Sequence, residues 1–139
     1  MTGRYAIDTS AWNRRHLPVV ADRLARLVDD AMVTVSDQVR LEILFSARSA
    51  ADHAALALEL AALPTTPGGH RAWQRAIQVQ GMLAARGALH HRSVKIPDLI
   101  VAASAEAAGD AVLDYDEDYD RIAEVTGRPT EWIVPRGQA

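Results

Sequence analysis

The chain has 139 residues, of which 49% are hydrophobic and 24% charged, and its net charge is −3. These values are typical of a water-soluble globular protein, and the length predicts a single domain spanning residues 1–139. Because there is no cysteine, disulfides, thiolate zinc sites and cysteine nucleophiles are excluded, and any metal must be held by oxygen or imidazole. The acidic balance gives no general attraction for nucleic acid, which disfavours a pure nucleic-acid-binding module.

Nothing in the sequence indicates export or membrane insertion. The N-terminal stretch MTGRYAIDTS lacks the apolar segment of a secretion signal. No apolar run approaches the roughly 18 residues that a membrane-spanning helix requires. We therefore expect a cytoplasmic protein with no membrane partner.

Strands and helices are predicted to alternate along the chain. Short apolar, β-branched runs predict strands at residues 4–7, 32–36, 111–115 and 131–135. Helical spacing and breakers predict helices at residues 18–31, 37–50, 51–62, 69–88, 97–109 and 119–127, with Asp37 as an N-cap. Parallel neighbours need such crossover helices. The order therefore predicts an α/β fold with three layers, in which helices flank a central parallel sheet of about four or five strands.

Four acidic residues fall where such a sheet binds ligands, beyond the carboxyl ends of its strands. Asp8 and Asp116 follow the first and third strands, whereas Glu42 and Asp98 lie near the starts of helices. Each has a structural alternative: Asp8 can cap a helix, Asp98 can stabilise the positive end of a helix dipole, and Glu42 can face solvent. Their shared placement nevertheless favours a common metal site.

The stretch AVLDYDEDYDRI, residues 111–122, is unusually rich in acids. Adjacent carboxylates repel each other, and either water or a bound cation must offset that repulsion. A solvated acidic loop is the simpler interpretation of this stretch alone. Taken with the acids at the other strand ends, it favours Mg²⁺ or Mn²⁺, which prefer oxygen ligands and suit phosphodiester chemistry.

Four blocks of the sequence carry a resemblance to a known family. YAIDTSAW, VTVSDQVRLEILFSAR, IPDLIVAASAEAAG and AVLDYDEDYDRIAEVTG resemble, in order and spacing, the acidic blocks of PIN domains in VapC-type toxins of bacterial toxin–antitoxin pairs. This resemblance implies a Mg²⁺- or Mn²⁺-dependent endoribonuclease that cuts RNA, commonly transfer or ribosomal RNA. It also implies a homodimer that a cognate VapB-type antitoxin silences.

The resemblance also implies roles for individual residues. The catalytic acidic quartet falls on Asp8, Glu42, Asp98 and Asp116, and all four are expected to serve the metal, Glu42 either as a ligand or by orienting the attacking water. A further expected metal ligand is Asp118. The hydroxyl that supports the first carboxylate in the family matches Thr9 or Ser10. Asp114 departs from the pattern, because relatives often carry histidine or another polar residue there, and its role stays open.

Contacts with RNA are predicted close to the first strand. Arg14 and Arg15 could neutralise phosphates, and Trp12 could stack on a base, although a solvated helix start and core packing are the alternatives. A basic segment precedes the helix that carries Asp98, with a surface loop as its alternative: His90, His91, Arg92 and Lys95. The amphipathic helices of residues 17–62 are a plausible place for an antitoxin helix.

Two other functions compete with the nuclease hypothesis. A haloacid-dehalogenase-like phosphatase would use Asp8 as nucleophile, but it usually needs a second aspartate at the position of Ser10. A catalytically inactive domain that binds RNA or a partner would use the acids only for solubility. Metal-dependent cleavage of RNA distinguishes the nuclease from the inactive domain.

Overall fold

A parallel sheet forms the centre of the molecule in the computed structural model, which describes residues 3–139. Its four strands are β1 (Tyr5–Ile7), β2 (Val33–Thr34), β3 (Ala111–Asp114) and β4 (Thr130–Trp132). They pair in the order β2-β1-β3-β4, and every pairing is parallel. The predicted α/β class and parallel sheet are therefore confirmed, with four strands.

Helices flank this sheet, as the alternating sequence predicts. They are α1 (Thr9–Trp12), α2 (Pro18–Asp29), α3 (Asp37–Phe45), α4 (Ala50–Ala61), α5 (His70–Ala84), α6 (Ile96–Ala108) and α7 (Asp118–Thr126), with a 3-10 turn at His90–Ser93. The predicted helix that carries Asp98 is α6, which is largely buried and ends at Gly109 with the positive φ of 73° that glycine tolerates. No helix within residues 3–139 combines the length and apolarity needed to span a bilayer.

The helix boundaries differ from the prediction where polar side chains cap a helix. The predicted N-cap Asp37 is wrong: Ser36 is the cap, and its hydroxyl accepts from the Val39 amide. A second serine cap, Ser49, starts α4, so that residues 46–49 separate two helices that were predicted to adjoin. The four-residue helix α1 was not predicted, because so short a segment carries no periodicity.

The outer strands are shorter than predicted. Of the predicted strand 32–36, only Val33–Thr34 belongs to β2, and Val35 makes an isolated bridge with Thr65 instead. Of the predicted strand 131–135, β4 keeps its beginning and stops at Trp132. The apolar residues beyond both strands are still buried, as Val35, Ile133 and Val134 show. An apolar, β-branched run thus indicates burial more reliably than it indicates pairing.

Candidate active site

Three aspartates from distant parts of the chain meet at the carboxyl edge of the sheet. Asp8 follows β1, Asp116 follows β3, and Asp98 lies in the first turn of α6. One carboxylate oxygen from each lies within 4.8 Å of the others. Among residues 3–139, these three make up the group with the spacing of a metal site. Their convergence agrees with the prediction made from strand ends.

The position of Asp8 is determined by the end of β1. The chain turns there into α1, and Asp8 caps that helix by accepting from the Ser10 amide at 3.0 Å and from the Ser10 hydroxyl at 2.5 Å, both through Oδ2. The same hydroxyl accepts from the Tyr115 amide at 2.9 Å and so ties the segment after β1 to the segment after β3. The capping alternative and the site role are thus compatible, and Ser10 supports the first carboxylate.

Asp98 is the most deeply buried acid facing this edge from a helix, with 3% of its surface exposed. Its Oδ2 is buried and accepts no hydrogen bond from the described residues, although the Lys95 ammonium lies 3.3 Å from it. Burial, the hydrogen bond with Asp118 and the charge of Asp8 raise the pKa of Asp98 above the usual carboxyl range. A buried carboxylate oxygen that accepts no hydrogen bond, beside two further carboxylates, fits a divalent cation with oxygen ligands.

Tyr119 joins two of the three aspartates and was not predicted from the sequence. Its hydroxyl donates to Asp8 Oδ1 at 2.6 Å and lies 3.2 Å from Asp98 Oδ1. Complete burial and the two carboxylates raise the pKa of Tyr119 well above its usual value, so the hydroxyl keeps its proton. One turn of α7 places Tyr119 behind the carboxylates, where it orients them.

Replacing Tyr119 by phenylalanine is expected to weaken Mn²⁺ binding about 10- to 100-fold, the usual loss when a residue that orients metal ligands is removed. The ring would stay in the core while both carboxylates lose their shared donor. Isothermal titration with Mn²⁺ measures the affinity, and circular dichroism checks the fold. Tyr5→Phe is the matched control, because Tyr5 is the first residue of β1 and Asp8 follows the last residue of that strand. Unchanged Mn²⁺ affinity in Tyr119→Phe would remove Tyr119 from the site.

Lys95 places a positive charge against the acidic cluster. Its Nζ lies 3.3 Å from Asp98 Oδ2 and 2.9 Å from Oδ2 of both Asp116 and Asp118. Burial alone would lower the pKa of Lys95, but its hydrogen bonds to Asp116 and Asp118 raise it, so the ammonium is charged. The basic segment predicted before α6 therefore turns its last residue towards the site.

Asp118 belongs to the edge of the site rather than to the group of three. Its Oδ2 accepts from the backbone amide and the Nζ of Lys95, and its Oδ1 accepts from Arg121 at 2.9 Å. Burial would raise the pKa of Asp118, but hydrogen bonds from Asp98 and Lys95 outweigh it and lower the pKa. Asp118 therefore contacts the cluster through Lys95 and lies outside the group of three aspartates.

Glu42 and Thr9 lie beside the cluster without joining it. Glu42 is half-buried on α3, where Gln38 Nε2 is 3.5 Å from its Oε2. Burial, followed by the charge of Asp8, raises the pKa of Glu42. The Thr9 hydroxyl is buried and has no hydrogen-bond partner within the described part of the chain. Glu42 thus shares the electrostatic environment of Asp8 without belonging to the group of three aspartates.

Asp114, whose role the sequence left open, braces the acidic loop. It is completely buried at the end of β3. Its Oδ1 accepts from the Asp116 amide at 3.1 Å, and its Oδ2 accepts from the Thr130 hydroxyl at 2.5 Å. Burial raises the pKa of Asp114 to about 7 despite these two donors. Asp114 therefore fixes the backbone that presents Asp116 and ties it to β4.

The predicted RNA contacts separate into two groups. Trp12 is only 5% exposed, and this favours core packing over base stacking. Arg15 stacks on the Trp12 ring at 4.4 Å and lies 3.8 Å from Glu59, on the side of α4. Arg14 instead lies over the Tyr115 ring at 4.1 Å, next to the acidic loop. Of these three residues, Arg14 has the position that best suits a contact with substrate.

Carboxylates gathered at the carboxyl edge of a parallel sheet define this chain as an α/β protein with a candidate divalent-metal site. The chain belongs to the PIN domain family, whose model matches residues 5–125. The resemblance noted in the sequence is therefore confirmed.

Similar proteins cover the chain almost completely. Ribonuclease VapC18 of Mycobacterium tuberculosis is 53% identical over 96% of this chain and 97% of its own length. Ribonuclease VapC21 of the same species is 44% identical over 100% of both. Among solved structures, VapBC2 from Rickettsia felis bound to a promoter DNA fragment matches 92% of this chain and 97% of its own, with a TM-score of 0.71 and 14% identity. VapBC-5 from M. tuberculosis matches 94% and 97%, with a TM-score of 0.60 and 22% identity.

Proposed function

We propose that this protein is a Mg²⁺- or Mn²⁺-dependent endoribonuclease and the toxin of a type II toxin–antitoxin pair. The observation that carries this proposal is the convergence of Asp8, Asp98 and Asp116, with ligand oxygens within 4.8 Å of one another. The names of the relatives supply the substrate class, since they are ribonucleases. The proposed substrate is transfer or ribosomal RNA, and its cleavage is proposed to inhibit translation. The proposed location of the protein is the cytoplasm. The whole chain, residues 1–139, is proposed to act as one nuclease domain.

The proposed reaction assigns a distinct task to each group. Asp8, Asp98 and Asp116 would hold the divalent ion, and Tyr119 would keep two of them in position. When bound, the ion supplies Lewis-acid activation of water and neutralises phosphate charge. Glu42 is proposed to orient the attacking water and take its proton at a carboxylate oxygen, a task that its raised pKa favours.

The resemblance to VapC-type toxins suggests which bonds change when water attacks phosphorus in line. A new bond forms between the water oxygen and phosphorus, and the bond from phosphorus to the 3′ oxygen breaks. The leaving oxygen takes up a proton, so the products carry 5′-phosphate and 3′-hydroxyl ends. No group of the protein needs to form a covalent bond with the substrate.

A VapB-type antitoxin is the proposed protein partner, because both structural neighbours are VapBC assemblies. The groove between α2 and α4 offers a site for an antitoxin helix. It has an apolar floor and charged edges, and is lined by Trp12, Arg15, Ala21, Leu24, Ala25, Val28, Asp29, Glu59, Ala62 and Leu63. Seven of these ten lining residues lie within the predicted range of residues 17–62.

A second copy of the chain is the proposed occupant of another surface, formed by α3, α5 and the start of α6. Its side chains are large, apolar and exposed, up to 91% for Phe45: Leu41, Phe45, Trp73, Ile77 and Ile96. Four of these side chains adjoin one another, since Leu41 and Trp73 line one depression and Trp73, Ile77 and Ile96 line another. Apolar patches of this kind are rare on monomers, which supports the proposed homodimer.

Purified protein is expected to cut single-stranded or structured RNA when Mn²⁺ or Mg²⁺ is added and to stop when EDTA is in excess. Gel analysis follows cleavage, and sequencing of the RNA ends tests for the 5′-phosphate and identifies the cut site. Restoring Mn²⁺ after EDTA should restore cleavage, which separates metal dependence from loss of the fold. A well-folded protein that leaves RNA intact at every metal concentration would favour the inactive binding domain instead.

The haloacid-dehalogenase alternative is overturned by membership of the PIN domain family. Phosphatase activity is not proposed for this protein.

A further inference from the structure

An aromatic groove with arginines along it adjoins the acidic cluster on the side of β4. Its cavity of about 420 Å³ is lined by Arg14, Tyr115, Asp116, Glu117, Trp132, Arg136 and Gly137. Asp116 is therefore shared between the groove and the group of three aspartates. A polymer bound with one phosphate at the aspartates would place its neighbouring residue here.

The walls of the groove are built for flat ligands. The rings of Tyr115 and Trp132 meet edge to face, with centroids 5.1 Å apart and an interplanar angle of 76°. Other contacts hold both rings: the Tyr115 hydroxyl accepts from the Gly137 amide at 2.7 Å, and the Trp132 indole N–H donates to Asp120 at 3.1 Å. Both side chains are half-buried and thus keep part of their surface open. Rings held in this way provide a stacking platform at low entropic cost.

The arginines give the groove a positive edge. Arg14 lies over the Tyr115 ring at 4.1 Å, and Arg136 lies over the Trp132 ring at 5.8 Å. The acids of the groove are already paired: Lys95 contacts Asp116 at 2.9 Å, while Arg121 and Arg136 contact Glu117 at 2.7 and 2.9 Å. An entering phosphate therefore meets the guanidinium of Arg14 rather than unpaired carboxylates.

We infer that this groove binds a nucleotide of single-stranded RNA next to the bond that is cut, with the base stacked on the Trp132 ring and a phosphate on Arg14, which lies over Tyr115. Stacking on aromatic rings and arginine planes is the usual way in which proteins hold unpaired bases. Duplex RNA cannot supply such a base, because its bases are stacked within the helix. The inference rests on the proposed ribonuclease function and adds a subsite and a strand preference to it.

Binding can be measured without cleavage in full-length protein that carries Asp98→Asn. A fluorescein-labelled, unstructured RNA oligonucleotide serves as the probe, and fluorescence anisotropy gives the dissociation constant. Trp132→Ala and Arg14→Ala are each expected to weaken binding at least about five-fold, the effect of losing one stacked base or phosphate contact. Arg48→Ala, an exposed arginine outside the groove, is the control and should stay within two-fold of the parent.

Tryptophan fluorescence provides a second readout that does not depend on stability. With Trp73→Phe in the same background, Trp12 and Trp132 remain, and Trp12 is buried. RNA stacked on Trp132 should quench the emission, and Trp132→Phe should abolish the quenching while it keeps a ring in place. A duplex of the same sequence should neither quench nor compete.

The outcomes separate this inference from the proposed function. Weakened binding in Trp132→Ala and Arg14→Ala supports the groove, even if the wild-type protein turns out not to cut RNA. Equal affinity of both groove variants and the parent, equal binding of duplex, or no binding of the single strand by the parent would overturn it. If Trp132→Ala and Arg14→Ala bound RNA as the parent does but no longer bound an antitoxin peptide, the groove would belong to the partner. That result would also overturn the inference.

Discussion

Asp98→Asn is expected to lower RNA cleavage at least about 100-fold while the protein remains folded. Losses of 10- to 100-fold are usual for residues that only orient a metal ligand, so a change in a ligand itself should reach or exceed the upper value. Asparagine keeps the shape of the side chain but removes its charge, and Oδ2 of Asp98 is a buried oxygen that accepts no hydrogen bond within residues 3–139. Gel assays over a range of Mn²⁺ concentrations measure this loss, and Asp8→Asn is expected to behave similarly.

Thermal unfolding distinguishes a lost ligand from a lost fold. In EDTA, Asp98→Asn should melt at a higher temperature than the wild type, because the raised pKa of Asp98 reports that its surroundings disfavour the charged form. Mn²⁺ should stabilise the wild type and leave the variant nearly unchanged. Asp30→Asn, an exposed change just before β2 and thus at the opposite edge of the sheet, should match the wild type in both assays. Full cleavage by Asp98→Asn would refute the ligand assignment.

Acidification is expected to weaken Mn²⁺ binding, and binding is expected to release a proton. Ligand carboxylates must be ionised, and the raised pKa of Asp98 means that part of the population is protonated near neutral pH without the ion. For one linked proton, the apparent dissociation constant rises up to about ten-fold for each unit of pH below that pKa. Isothermal titration in two buffers of different ionisation enthalpy gives the number of protons released.

The stability of the metal-free protein should respond to pH with the opposite sign from that of a salt-bridged acid. Between the usual carboxyl pKa and the raised pKa of Asp98, the folded state binds more protons than the unfolded state, so this group makes stability fall as pH rises. Asp114, with a pKa of about 7, acts in the same direction. The difference in melting temperature between wild type and Asp98→Asn isolates the contribution of Asp98.

Equal Mn²⁺ affinity at pH 6 and pH 8, with no buffer dependence of the enthalpy, would contradict the predicted linkage between Mn²⁺ binding and proton release.

Local chemistry explains why most of the fold was predictable. Apolar runs located all four strands, and the glycine after α6 and the glycine after α7 marked the helix ends with positive φ of 73° and 68°. The errors lie where a choice depends on a single side chain. Ser36 rather than Asp37 caps α3, because its hydroxyl is the group placed to accept the Val39 amide. Ser49 starts a new helix for the same reason.

The sequence by itself determined that the acids face one edge, because in a parallel sheet every strand delivers its last residue to the same side. That rule accounts for Asp8 and Asp116, and the buried start of α6 accounts for Asp98. Only the tertiary structure decided what surrounds them. Tyr119 is separated from Asp8 by 111 residues along the chain, yet it donates to it, and no periodicity records such a contact.

Tertiary packing also decided the contacts of Lys95 and the pairing of Tyr115 with Trp132. The sequence predicts that Lys95 belongs to a basic surface segment. The packing of α6 against α7 instead brings it against Asp116 and Asp118. Tyr115 and Trp132 form a platform only because β3 and β4 lie side by side. Strand ends and helix starts are local properties of a sequence, whereas the partners of a side chain depend on which elements pack together.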